Sequence, residues 1–120
     1  VRVLVVDDDP VQRASLEILL TSSGAVVHTV SDGFAAIEAY LSTPIDVIVM
    51  DLRMPDMWGD EACEAIRMFT ESAQPVIIGC SSLANGPERA RRAGMDGYVG
   101  KPASAGCLVD EIVRCLRYAR

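Results

Sequence analysis

Six acidic or hydroxyl-bearing positions and one lysine stand where apolar runs of this chain stop. Ile45–Met50 is apolar and ends on Asp51, after which Pro55 and Gly59 punctuate a loop. Val1–Val6 ends on Asp7, Asp8 and Asp9, with Pro10 next. Pro75 opens the run Val76–Cys80, followed by Ser81 and Ser82, and Gly97–Gly100 leads into Lys101 and Pro102. Lys101 is the only lysine beside ten arginines, so a specific task for it is expected. Carboxylates gathered at strand ends repel one another, and one would take up a proton unless a cation intervened. Mg²⁺, or Mn²⁺, resolves that conflict with a few protein oxygens and retained waters. The expected set is Asp8 and Asp51 directly, Asp7 through water, and the main-chain carbonyl of Arg53. With the charge neutralised, an Asp51 oxygen can attack phosphorus and form an aspartyl phosphate. The loose, charge-spread transition state of such a transfer needs fixed positive charge and a donor, which Lys101 and a hydroxyl after the fourth apolar run would supply.

The elements that must position these residues follow from periodicity. The runs Val1–Val6, Ala25–Val30, Ile45–Met50, Val76–Cys80 and Gly97–Gly100 read as strands, mostly continuous enough to be buried on both faces. Between them lie helical patterns. The first starts at Pro10, is capped by an aspartate, and is read with Val11, Ala14, Ile18 and Leu19 on its apolar face and Leu16 and Leu20 alongside. Gly24 stops it. The second carries Phe34, Ile37 and Leu41, the third Ala62, Ile66 and Phe69. A weakly amphipathic fourth helix spans Glu88–Ala93, and the fifth shows Leu108, Ile112, Cys115, Leu116 and Ala119 at helical spacing. Five βα units predict a flavodoxin-like, doubly wound α/β domain, (βα)5, with a parallel five-stranded sheet of order 2-1-3-4-5. In that architecture ligands sit at the carboxyl ends of the strands, where Asp7, Asp8, Asp51, Ser81 and Lys101 all fall.

Composition narrows the class. A chain of 120 residues, half of them hydrophobic, suits one domain with an aliphatic core. A net charge of −6 argues against direct nucleic-acid binding, which needs basic residues on phosphates. No apolar run approaches the ~20 residues of a membrane span, so no membrane contact is expected. Cys63, Cys80, Cys107 and Cys115 lack metal-binding spacing and read as buried, reduced thiols of a cytoplasmic domain. The chain lacks an initiator methionine and stops soon after its last helix, so residues 1–120 are expected to be one domain cut from a longer protein.

The chain resembles, over its full length, the receiver domain of two-component response regulators and hybrid histidine kinases. The pieces that carry the resemblance are LVVDDDP at Leu4–Pro10, SDG at Ser31–Gly33, VIVMDLRMPDMWG at Val47–Gly59, PVIIGCSS at Pro75–Ser82 and AGMDGYVGKP at Ala93–Pro102. The resemblance implies that Asp51 is the phospho-acceptor, Asp7 and Asp8 the metal pair, and Lys101 the phosphate-contacting lysine. It implies Tyr98 as an aromatic switch and a cis peptide before Pro102. It further implies a phosphohistidine donor, on a histidine kinase or histidine phosphotransfer domain, and an output domain or partner protein that reads the surface of helix 4, strand 5 and helix 5. Slow self-dephosphorylation, rather than turnover of a substrate, is the activity implied. The AGMDGYVGKP segment favours a hybrid-kinase receiver.

Two positions depart from the family pattern. The Thr or Ser at the end of strand 4 is Cys80 when counted from Pro75, and the interval to Lys101 is short, so either Ser81 or Cys80 fills it. Trp58 stands where the family has Asp before Gly59, and its ring is expected to cover the site, join a partner surface, or simply pack. Arg89, Arg91 and Arg92 are read as a solvated helix face and His28 as an exposed or hydrogen-bonded strand residue. Two other functions remain open. Asp7-x-Asp9 also resembles the nucleophile motif of haloacid-dehalogenase-like phosphatases, with Asp7 attacking and Asp9 as acid/base. A degenerate receiver that only docks, without phosphorylation, is the other.

Overall fold

A computed structural model describes residues 1–70 and 73–118. Among the described residues, five strands alternate with five helices: β1 (Arg2–Val6), α1 (Pro10–Ser22), β2 (Val26–Val30), α2 (Gly33–Ser42), β3 (Val47–Asp51), α3 (Gly59–Phe69), β4 (Val76–Ser81), α4 (Gly86–Ala93), β5 (Gly97–Gly100) and α5 (Ala105–Tyr118). All strands run parallel in the order 2-1-3-4-5. Ala119, assigned above to the stripe of the last helix, lies outside the described residues.

The continuous apolar runs become central strands because each residue has a layer of helices to point into. Val3, Val5, Val47, Val49 and Ile78 face one layer with Leu16 and Leu20 of α1 and Leu108, Ile112 and Cys115 of α5. Leu4, Val6, Ile48, Met50 and Ile77 face the other, with Ala36 of α2, Ala62, Cys63 and Ile66 of α3 and Ala93 of α4. β3, flanked on both sides, is buried along its whole length, whereas the edge strand β2 is partly exposed and carries the exposed His28. Burying these side chains supplies roughly 1.5–3 kcal/mol each against the entropy of ordering the chain.

Three helix faces differ from expectation. On α1, Leu16 and Leu20 turn inward and Leu19 packs beside them, while Val11 and Ile18 are 73% and 69% exposed. On α2, Ala36 and Ile37 meet the sheet, and Phe34 and Leu41 face solvent; Phe69 of α3 is exposed as well. In each case the helix carries more large apolar residues than one stripe can bury, and the layer spacing selects which stripe goes inside. α4 starts two residues earlier than predicted, at Gly86.

Local signals set the helix starts at the functional end. Asp9 caps α1, its carboxylate accepting from the Val11 amide at 2.9 Å, and Pro10 occupies the first turn. Asp32 caps α2 through the Ala35 amide at 2.8 Å. Before α3 the Trp58 amide donates to Glu61 Oε1 at 3.1 Å. Gly94, at φ 89°, closes α4 in the left-handed region.

Candidate functional site

The carboxyl ends of β1, β3, β4 and β5 open into one cleft, lined by Asp7, Asp8, Asp9, Gln12, Asp51, Arg53, Ser81, Ser82, Leu83 and Lys101. The order of the sheet puts β1 and β3 side by side, so Asp7 and Asp51, 44 positions apart, end up as neighbours. Asp7, Asp8 and Asp51 each offer a carboxylate oxygen, all within 4.8 Å of one another. Asp7 and Asp51 are buried and Asp8 is exposed at the rim.

Lys101 answers this charge. Its Nζ donates to Asp7 Oδ2 at 3.0 Å and stands 3.4 Å from Asp51 Oδ1. The lysine backbone is held by its own amide, which donates to the Ser81 carbonyl at 2.9 Å. The Lys101–Pro102 peptide is cis, the isomer the resemblance implies. Asp7 is fixed further: its Oδ1 accepts from the Asp9 amide at 2.9 Å and its carbonyl accepts from Arg13 Nη1 at 2.8 Å.

Burial decides the protonation state of Asp51. Desolvation pushes its carboxyl up to about 6; the nearby Asp7 and Asp8 charges add to the rise, and Lys101 opposes it without cancelling it. For Lys101, burial pulls the ammonium down, but the hydrogen bond to Asp7 and the charges of Asp51 and Asp7 outweigh it, so the group stays above its usual range. The cleft therefore holds more carboxylate than one lysine balances. Three hard oxygen donors at this spacing, two of them poorly solvated, fit a small divalent cation such as Mg²⁺.

The end of β4 sends Cys80 and Ser81 to different places. The strand runs one residue further than expected, to Ser81, which pairs with Gly100 just before Lys101. Ser81 lines the cleft, and its Oγ accepts from the Leu83 amide at 2.9 Å. Cys80 pairs with Asp51 across the sheet but packs into the apolar layer with Val99 and Leu108, where burial pushes its thiol up to about 11. Tyr98 lies on β5 with its hydroxyl donating to the Ser81 carbonyl at 2.8 Å. The Arg53 side chain is exposed at the cleft wall.

Trp58 does not line the cleft. Its ring lies under the Arg89 guanidinium, 4.2 Å from the ring centroid, and Arg89 also pairs with Asp60 at 2.7 Å. Arg89 is thus not part of a solvated face; Arg91 and Arg92 are, both pairing with Glu88 on their own helix. Gln12 and Leu83 are cleft residues that the sequence reading passed over. Gln12 sits in the first turn of α1, three residues after the capping aspartate Asp9, and that position is a usable signal.

Residues 3–113 match the family described as response regulator receiver domain. Among curated proteins, the sensor protein GacS of Pseudomonas syringae pv. syringae is 35% identical over 94% of this chain and 13% of its own length. The transcriptional regulatory protein KdpE of Mycobacterium tuberculosis is 35% identical over 98% of the chain and 50% of its own length. The chain therefore spans half or less of these relatives. Among solved structures, the receiver domain of a Pseudomonas aeruginosa PAO1 sensor histidine kinase, which has a magnesium ion coordinated in its active site cleft, superposes with a TM-score of 0.87 at 31% identity, covering 97% of each chain. The chemotaxis protein CheY4 of Vibrio cholerae gives a TM-score of 0.87 at 28% identity, covering 95% of this chain and 97% of its own. Strand order, a carboxylate-lined cleft at the strand ends and the match over residues 3–113 agree, and the chain belongs to the receiver domain family of two-component signalling.

Proposed function

We propose that Asp51 accepts a phosphoryl group from a phosphohistidine on a histidine kinase or histidine phosphotransfer domain. The observation that carries this reading is the convergence of Asp7, Asp8 and Asp51 within 4.8 Å, with Lys101 3.4 Å from Asp51. Asp7, Asp8, Asp51 and the Arg53 carbonyl would hold Mg²⁺ or Mn²⁺. Such an ion, when bound, neutralises carboxylate and phosphoryl charge. An Asp51 carboxylate oxygen then forms a bond to phosphorus as the phosphorus–nitrogen bond to the imidazole breaks. The bonding pair returns to the imidazole nitrogen, and the product is an aspartyl phosphate. Lys101 swings its ammonium from Asp7 to the transferred phosphoryl oxygens, and the Ser81 hydroxyl donates to one of them. Attack by water on the same phosphorus later frees Asp51 and limits the lifetime of the signal.

This reading takes residues 1–120 as one receiver domain of a longer cytoplasmic protein. No helix among the described residues is long and apolar enough to cross a membrane. The output is read from α4, β5 and α5, with Tyr98 as the switch, by an output domain or partner protein. The phosphatase reading is less favoured. Asp7 is 1% exposed and bonded to Lys101, and the Asp9 carboxylate is occupied in capping α1, so neither is free for its assigned step. A docking-only receiver gives no reason for Lys101 to bridge two buried acids.

The test is intact mass after incubation with Mg²⁺ and a small acyl phosphate. One phosphoryl adduct per chain is expected, lost on adding a chelator beforehand. Absence of any adduct, together with failure to bind beryllofluoride, would sink the proposal.

The uncovered stripe of α1 bears on the donor. Val11, Ala14 and Ile18 share one face of the helix that flanks the cleft, and all three are exposed. A helical histidine-bearing domain would pack there while presenting its imidazole to Asp51. Ile18→Glu is expected to slow transfer from a histidine phosphotransfer domain by about tenfold, a loss of ~1.4 kcal/mol of contact. Its reaction with a small acyl phosphate should be unchanged. Equal slowing of both donors would show that the substitution disturbs the cleft and not a docking face.

A further inference from the structure

The segment between the cleft and α4 is unusually direct. Gly59, first residue of α3, lies flat against the backbone of Asp51, and a Cβ there would run into the Asp51 carbonyl. The Gly59 amide also donates to the Leu52 carbonyl at 2.7 Å. The next residue back is Trp58, whose indole carries the Arg89 guanidinium of α4 at 4.2 Å, and the residue after Gly59 is Asp60, whose carboxylate holds the same guanidinium at 2.7 Å. One arginine thus clasps both neighbours of the glycine that touches Asp51.

The clasp is held without surplus. Arg89 Nε is buried with no hydrogen-bond partner among the described residues, so one donor of the guanidinium loses its water without a replacement there. One turn earlier, α4 makes an equally close contact. Gly86, its first residue, sits on the Tyr98 ring, and a Cβ there would meet the Tyr98 hydroxyl that bonds the Ser81 carbonyl. α4 therefore rests on two contact chains, one from Asp51 through Gly59 and Trp58 to Arg89, the other from Ser81 through Tyr98 to Gly86.

We propose that Arg89 is the positioning residue that ties α4 to the acceptor strand, and that filling the Asp51 cleft is transmitted to α4 through the Trp58–Arg89–Asp60 clasp. The inference rests on the phospho-acceptor reading given above. Charge or volume added to the Asp51 carboxylate shifts the Asp51 main chain at the end of β3, and the Gly59 backbone that abuts its carbonyl shifts with it. Trp58 and Asp60, covalent neighbours of Gly59, move with it, and the guanidinium must follow or let go. A tight, incompletely satisfied cation–ring contact is suited to two alternative arrangements.

Trp58 is the only tryptophan, so its emission reports the clasp directly. The experiment adds Mg²⁺ and beryllofluoride to the parent chain and to Arg89→Ala, following Trp58 emission and, separately, bound beryllofluoride by ¹⁹F NMR. Expected are bound beryllofluoride in both proteins, an emission change in the parent chain, and loss of most of that change in Arg89→Ala, which lacks the cation–ring contact. Asp60→Asn, which leaves the ring contact and breaks the ion pair, should fall between the two. Beryllofluoride bound with unchanged parent emission, or with equal changes in parent and Arg89→Ala, overturns the clasp. Failure of the parent chain to bind beryllofluoride overturns the phospho-acceptor reading instead.

Discussion

A Lys101→Met variant is expected to phosphorylate at Asp51 about two orders of magnitude more slowly than the parent chain, the usual cost of removing one preorganised charge donor from a transfer site. Methionine keeps much of the length and packing of the lysine stem and removes only the ammonium. That ammonium is 3.0 Å from Asp7 and 3.4 Å from Asp51, and in the cleft it is the cation opposite both buried carboxylates. Its loss acts twice. The transferred phosphoryl oxygens lose a point charge, and Asp51, already up to about 6, loses the neighbour that holds it down and is protonated more often at neutral pH. The rate is measured by quenching the acyl-phosphate reaction and following adduct mass over time. Mg²⁺ affinity is measured in parallel, so that a slower rate is not confused with a weaker metal site. A rate within twofold of the parent would remove Lys101 from the chemistry.

Asp51→Asn is expected to stabilise the metal-free domain at neutral pH by about 2–3 kcal/mol while abolishing phosphorylation. The sign follows from the direction of the shift. Asp51 has a folded value of about 6 against 3.8 for an ordinary aspartate, so the folded state holds a proton that the unfolded state releases between those pH values. Stability from this group is fully present below about pH 4 and is lost as pH rises through 6. At 1.36 kcal/mol per unit, a two-unit shift corresponds to ~3 kcal/mol of strain at pH 7. Asparagine removes the charge and with it the strain. Urea unfolding in a chelator should show the variant ahead at pH 7.5 and level with the parent near pH 4. Adding Mg²⁺ should narrow the gap at pH 7.5, because a cation that binds only the folded parent stabilises it by mass action. A variant no more stable than the parent at pH 7.5 would mean that Asp51 is relaxed in the empty cleft.

Much of the fold was legible because β1, β3 and β4 are buried on both sides, and sequences like Val3–Val6 and Val47–Met50 have no other economical use. Asp7, Asp8 and Asp51 could be brought together from sequence because strand order makes the ends of β1 and β3 adjacent, and Lys101 reaches them from β5 across the end of β4. What escaped depends on contacts between elements. Val11, Ala14 and Ile18 form as good a stripe on α1 as Leu16 and Leu20 with Leu19, and nothing local says which one meets the sheet. The choice between Cys80 and Ser81 turns on one residue of strand length, beyond the resolution of hydrophobic patterning. Arg89 looked solvated because its partners, Trp58 and Asp60, lie about thirty positions away on a different helix start. The inward seat of Tyr98 likewise requires Gly86 above it and Gly79 beneath, a fit visible only in three dimensions.

The central claim is that Asp51, and no other carboxylate of the cleft, receives the phosphoryl group. Its most direct test maps the adduct to a peptide after trapping the acyl phosphate by borohydride reduction, in the parent chain, in Asp51→Asn and in Asp7→Asn. We expect the label at Asp51 in the parent, none in Asp51→Asn, and a slower but still Asp51-directed reaction in Asp7→Asn, where one metal-holding carboxylate is missing. A label on Asp7 in the parent, with Asp51→Asn reacting at the parental rate, would contradict the assignment and make this cleft the site of a phosphatase-like nucleophile instead.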